Sequence, residues 1–188
     1  MKDFTFSLPA ATALGLRVRF VSNIAGERLV VDRIAVSGVA APIVVTNAND
    51  SGAGSLRAAI AAALVAAGPN RIEFAPVLSG QTILLNSTLV ITDAAGVTID
   101  ALSLSRGLTL SGQNAVRVLR VDPGASAVLS GLSVRYGLAP AGPFASGGGG
   151  GGIFNAGNLE LQRCTVSDND VQGSPVLRTA AGGIAVEN

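Results

Sequence analysis

Residues 3–38 alternate as short strands do. DFTFSLP is followed by LGLRVRFVSN and then by ERLVVDRIAVSG. In the second segment Leu16, Val18 and Phe20 share one face and Arg17 and Arg19 the other, the period-two pattern of a half-buried strand. The spacing changes after Pro42. PIVV reads as a strand, TNANDSGAG as a turn and SLRAAIAAALVAA as a helix over 55–67, with Ser55 as its N-cap and Gly68-Pro69 as its stop. Leu56, Ile60 and Leu64 stack at i, i+4 and i+8, and Arg57 is the helix's one charge. A helix apolar nearly all round is expected to be buried. From Arg71 onward short strands dominate: RIEF, TILL, TLVIT, GVTI, GLTLSG, VRVLRV, SAVLSGLSVRY, NLELQRCTVSDN and GGIAVEN. Gly, Asn, Asp and Ser punctuate them and no second helical period appears.

The late strands repeat. SAVLSGLSVRYG, from Ser126 to Gly137, aligns with NLELQRCTVSDN, from Asn158 to Asn169, at an offset of 32 residues. Ala127 matches Leu159, Leu129 matches Leu161, Leu132 matches Cys164 and Val134 matches Val166. In both copies the apolar parity changes once, at Ser130-Gly131 and at Gln162-Arg163. A strand has period two, so a parity change in mid-run marks a corner. GGIF at 151–154 recurs as GGIA at 182–185. Strand, corner, strand at a fixed offset is one coil of a solenoid, whose coils bury their faces against their neighbours. The expectation is an all-β parallel β-helix over 42–188. The helix over 55–67 caps its N-terminal end, and a short antiparallel β segment over 1–41 precedes it.

The segments VTNANDSGAGSLRAAI, RIEFAPVLSGQTILL, NAVRVLRVDPGASAVLSGLSVRYG and GGGIFNAGNLELQRCTVSDND resemble the bacterial surface-associated right-handed parallel β-helix proteins. Their rungs are similar to the GGAI and FxxN repeats of polymorphic outer-membrane proteins. Val166 to Asn169 stands for the FxxN element, whereas Val134 to Gly137 places Gly at the Asn position. The strands LRVRF and VDRIAVSG resemble the end of a jelly-roll carbohydrate-binding module. These resemblances imply a secreted or cell-surface chain, structural or adhesive, with a surface glycan or a cell-surface molecule among its partners. They leave open a polysaccharide lyase, a glycosidase or a glycan-binding module.

Composition narrows the chemistry. The chain is 48% hydrophobic but only 13% charged, against roughly 25% in ordinary globular chains. Net charge is +1, so neither nucleic acid nor an anionic membrane surface is an expected partner. No apolar run reaches the roughly 20 residues of a membrane span, and the N-terminus lacks a signal-peptide core. The chain is therefore expected to be either cytosolic or a piece of a longer exported polypeptide, and the surface-protein resemblance implies the second.

The six glycines at 147–152 lack the GK[ST] ending of a phosphate loop and are expected to form a flexible connection between coils. Cys164 has no histidine anywhere in the chain to activate it, and its match to Leu132 places it in the core. Asn169 is expected to point inward and satisfy turn amides. Asp168, Asp170 and Asp122 are the candidate calcium ligands, but turn chemistry also explains them. Arg135 and Arg163 lie 28 apart and so fall out of register, and no acidic pair can be placed on one face. No catalytic residue and no cofactor is expected. There is no Trp, and Tyr136 is the only tyrosine, which counts against a sugar platform. The chain closes on GGIAVEN, the opening of another coil. The expectation is either a piece of a longer chain or head-to-tail association through the open coil and the N-terminal strands.

Overall fold

The computed structural model describes residues 41–140, 149–172 and 183–186. The three strands expected over 3–38 lie outside them. Contacts divide the chain into Met1–Ala41 and Pro42–Asn188, and the coils described here belong to the second unit.

The period-two segments form the expected strands, and every pair between them is parallel. After β1 (Ile43–Val45) and α1 (Leu56–Val65), the first coil holds β2 (Asn70–Phe74), β3 (Thr82–Leu84) and β4 (Leu89–Ile91). The second holds β5 (Val97–Asp100), β6 (Leu108–Ser111) and β7 (Leu119–Val121). The third holds β8 (Ser126–Ser130), β9 (Leu132–Arg135), β10 (Leu138–Ala139) and β11 (Ile153–Asn155). The fourth holds β12 (Asn158–Gln162), β13 (Thr165–Ser167), β14 (Asp170–Val171) and β15 (Ile184–Val186). Three long sheets run along the stack, β1-β2-β5-β8-β12, β3-β6-β9-β13 and β4-β7-β11-β15, with the short pair β10-β14 at one corner. The fold is a β-solenoid of four coils.

The 32-residue alignment is the physical register: Leu129 pairs with Leu161 and Val134 with Val166. GGIF and GGIA pair likewise, with Ile153 beside Ile184. Earlier coils are shorter. Ile72 pairs with Ile99 and Ile99 with Leu129, offsets of 27 and 30 residues. Apolar columns therefore climb the interior, such as Ile72–Ile99–Leu129 and Leu89–Leu119–Ile153, whose members are all buried. Each fully buried aliphatic side chain contributes about 1.5–3 kcal/mol of transfer free energy.

The corners are made by left-handed backbone and by short side chains that bond two residues ahead. Gly131 and Arg163, at the two parity changes, have φ of 69° and 52°. Asp93 accepts from Ala95 N, Asp100 from Leu102 N, Ser111 from Gln113 N and Asn155 from Gly157 N. These are the Asx-type turns that Asp, Asn and Ser favour. They also explain why these four polar residues are buried.

The glycine run departs from expectation. Gly149 to Gly152 are buried rather than slack. The carbonyls of Gly151 and Gly152 accept from Val118 N and Leu119 N one coil below. Buried Arg117 donates to Gly150 O at 3.0 Å and Gly149 O at 2.8 Å, and its guanidinium stacks over the Phe154 ring. That burial, and secondarily the Arg120 charge, lowers the Arg117 pKa from its ordinary value. Glycine is required here because backbones meet. A Cβ on Gly137 would lie 2.0 Å from Gly151 O, and one on Gly151 would lie 2.1 Å from Asp170 O.

The helix spans Leu56–Val65, with the Ser55 side chain accepting from Ala58 N as N-cap. It stops at Ala66, two residues before Gly68, and the Asn70 side chain closes its end by donating to Ala63 O. It packs against β1 and β2. Contrary to the all-round apolar reading, only Leu56, Ala59 and Ala63 are buried; Ile60 is half-buried, and Leu64 and Val65 are exposed. Small alanines let the helix lie close on one face, so its opposite face needs no cover.

Two comparisons test these assignments. Ala63→Asp puts an unpaired charge against β1 and β2 and should lower unfolding free energy by about 3 kcal/mol or more, whereas Leu64→Asp should change it by less than about 1 kcal/mol. Gly137→Ala forces two backbones apart and should cost about 3 kcal/mol. Gly124→Ala, at φ 79° with open space around its Cβ, should cost only about 1–2 kcal/mol for the left-handed conformation. Denaturant titration of each pair reads the contrast.

Candidate functional site

The fourth coil gathers most of the residues singled out by sequence. Its inward row continues the interior columns, but the chemistry of its surroundings changes. Leu159, Leu161, Cys164 and Val166 are half-buried, whereas their counterparts one coil below, Ala127, Leu129, Leu132 and Val134, are buried. Ile184 and Val186, whose counterpart across from Ile184 is buried Ile153, are exposed. Among the described residues β12, β13, β14 and β15 are each the last strand of their sheet. An outermost strand presents one row of backbone N–H and C=O groups to whatever lies beyond it.

Cys164 stands in the inward row as the repeat predicts, and its thiol lies 3.3 Å from Leu129 O. It is half-buried rather than sealed in the core, because it belongs to this last row.

Asn169 is the inward-pointing residue that its FxxN-like position implied. Its Oδ1 accepts from Gly137 N at 2.7 Å, and its Nδ2 donates to Val134 O at 3.1 Å and Ser167 O at 2.9 Å. One side chain thus ties the fourth coil to the third at a buried turn. The Gly-for-Asn replacement at 137 has a physical reason: Gly137 is where the Asn169 amide and the Gly151 carbonyl converge, leaving no room for a side chain.

The three calcium candidates are engaged separately. Asp168 pairs with Arg135 at 2.6 Å and accepts from Ser167 Oγ. Asp170 accepts from Val171 N. Asp122, at a corner of the second coil, lies 2.5 Å from Arg120 Nε. No group of three or more His, Cys, Asp or Glu comes together among the described residues. Arg135 and Arg163 are out of register as their spacing requires, since Arg135 pairs with Ser167. The Arg135 guanidinium also lies over Tyr136, whose ring is 41% exposed.

One acidic pair escaped the sequence reading. Glu73 and Asp100 are directly opposed on β2 and β5. Arg71 joins them, at 2.6 Å from Glu73 and 2.5 Å from Asp100. The hydrogen bond to Glu73 raises the Arg71 pKa; desolvation opposes it as the next largest effect, and the Asp100 charge adds to the rise. Aligning NRIE, 70–73, with VTID, 97–100, at 27 residues would have found the pair, but the 32-residue repeat of the later coils points elsewhere. Arg71 holds one oxygen of each carboxylate and Leu102 N holds the other oxygen of Asp100. The arrangement ties two rungs together.

Asn169→Ala should destabilise the fold by about 2–4 kcal/mol, because it leaves the buried Gly137 N–H and two carbonyls without their partner. Arg135→Gln breaks an exposed ion pair on the same corner and should cost less than about 1 kcal/mol. Equal effects of the two substitutions in thermal unfolding would contradict this assignment.

No family model, no curated protein and no solved structure matches this chain.

Proposed function

We propose that the chain is a non-enzymatic structural or adhesive module of an extracellular or cell-surface parallel β-helix, and that its fourth coil receives another coil. The right-handed winding of this helix belongs to the proposal. It rests on the resemblance of VTNANDSGAGSLRAAI and GGGIFNAGNLELQRCTVSDND to surface β-helix proteins, and on the strong right-handed bias of parallel crossovers. The observation that carries the reading is the half-buried apolar row Leu159, Leu161, Cys164 and Val166, set beside strands that pair on one side only among the described residues. Strand addition by a second copy would pair the edge and cover the row in one step. Head-to-tail contact of this kind builds filaments where it does not close.

A second reading has one observation in its favour. Glu73 and Asp100, opposed on adjacent rungs with Arg71 between them, are the carboxylate pair that a carbohydrate-active site requires. Their pairing with Arg71 favours the structural role. Turnover of a polysaccharide that is lost in Glu73→Gln would reverse that preference.

Self-association has a direct probe in Cys164. As protein concentration rises, light scattering should report growing particles and the rate of thiol labelling at Cys164 should fall, because the row that holds it becomes covered. A concentration-independent labelling rate together with a monomer at every concentration would overturn docking at the fourth coil.

A further inference from the structure

At the opposite end of the stack, a cavity of about 220 Å³ lies between α1 and the first coil. Ile60 and Leu64 of α1 form one wall, Leu89 and Ile91 of β4 and Val97 of β5 form the other, and Asp93 lies at its margin. Leu89, Ile91 and Val97 are buried beneath it, while Leu64 is 50% exposed at its mouth. An apolar cavity of about 150 Å³ is enough for benzene, so this one suits a single ring with a short arm.

Two charged residues line the cavity, and they differ in how they are matched. Arg57 donates to Asp50 O, Asp50 Oδ1, Ser87 O and Thr88 O, which uses its guanidinium to tie the turn before the helix to the loop before β4. Asp93 is only 7% exposed. Its Oδ1 accepts from Ala95 N at 2.8 Å, but its Oδ2 is shielded from solvent and accepts no hydrogen bond. Asp122 Oδ1 is shielded in the same way, yet Arg120 stands 2.5 Å from it. No ion pair of that kind meets Asp93 among the described residues. A buried carboxylate oxygen without a donor is costly and calls for a partner.

From this pairing of an apolar cavity with an unmatched acceptor, we propose that the groove between α1 and β4 binds a small apolar molecule bearing a protonated amine. The body lies on Ile60, Leu64, Leu89 and Ile91, and the ammonium donates to Asp93 Oδ2. Rotation about the Cβ–Cγ bond of Asp93, a soft sp³–sp² torsion, moves both carboxylate oxygens together, so turning Oδ2 toward the ligand lengthens the Oδ1 bond to Ala95 N. The proposal is independent of docking at the fourth coil.

The test uses the full chain with three probes of one size: benzylamine, benzyl alcohol and phenylacetate. Binding is followed by methyl chemical shifts of Ile60, Leu64 and Ile91. Benzylamine should bind at least about ten-fold tighter than benzyl alcohol, as a charge-assisted hydrogen bond requires, and phenylacetate should not bind. Asp93→Asn keeps an acceptor for Ala95 N and should erase the preference for the amine while leaving benzyl alcohol unchanged. Equal affinity for amine and alcohol in the unaltered chain overturns the proposal, as does the absence of shifts with benzylamine. That comparison decides the matter even where Asp93→Asn fails to fold.

Discussion

Everything in this molecule depends on one rung of backbone pairing directly onto the next, in parallel and without slippage. The strands of one coil do not pair with each other; their N–H and C=O groups are satisfied by the coil above and the coil below. A shift of one residue in any sheet would turn a column such as Ile72–Ile99–Leu129 outward. Register therefore has to be set at the corners, and that is where the polar and conformationally unusual residues are found. Asp93, Asp100, Ser111 and Asn155 each bond two residues ahead, so each bends the chain at a fixed point.

The corners also explain the odd composition. A chain with 24 glycines and few charges looks loose as a list of residues. In the stack, several of those glycines are points where two backbones touch. Gly112 and Gly137 leave no space for a Cβ, against Val116 O and Gly151 O respectively. Buried Arg117 donates from its guanidinium to the carbonyls of Gly149 and Gly150. A cation at that place supplies donors where crowded backbone carbonyls face inward.

Sequence made the later coils legible because their lengths agree. The pair SAVLSGLSVRYG and NLELQRCTVSDN has the same corner, one left-handed residue, at Gly131 and at Arg163. The earlier coils carry longer corners between the first and second sheets, residues 75–81 and 101–107. Their register offsets of 27 and 30 therefore hide the repeat, and with it the opposed pair Glu73 and Asp100. The helix was legible from its caps, but which face it buries was not. Periodicity marked Leu56, Ile60 and Leu64 alike, whereas the close approach to β1 and β2 buries Leu56 with the small side chains Ala59 and Ala63 and leaves Ile60 and Leu64 at the margin. The groove beside Leu64 follows from that packing.

The two ends of the stack handle the same physical problem differently. Any solenoid end leaves apolar side chains without a neighbouring coil. At the first coil the solution is a helix, which satisfies its own backbone and needs to match only shape. Arg57 fastens it through carbonyls of the loop before β4. At the fourth coil the inward row is built of branched aliphatic residues, Leu159, Leu161, Val166 and Ile184, that continue the columns below in register. Here the outward positions Glu160 and Gln162 are polar while the inward ones are kept apolar. Among the described residues the apolar columns therefore run unbroken through the last rung, and the polar side chains of that rung stay on its outer face.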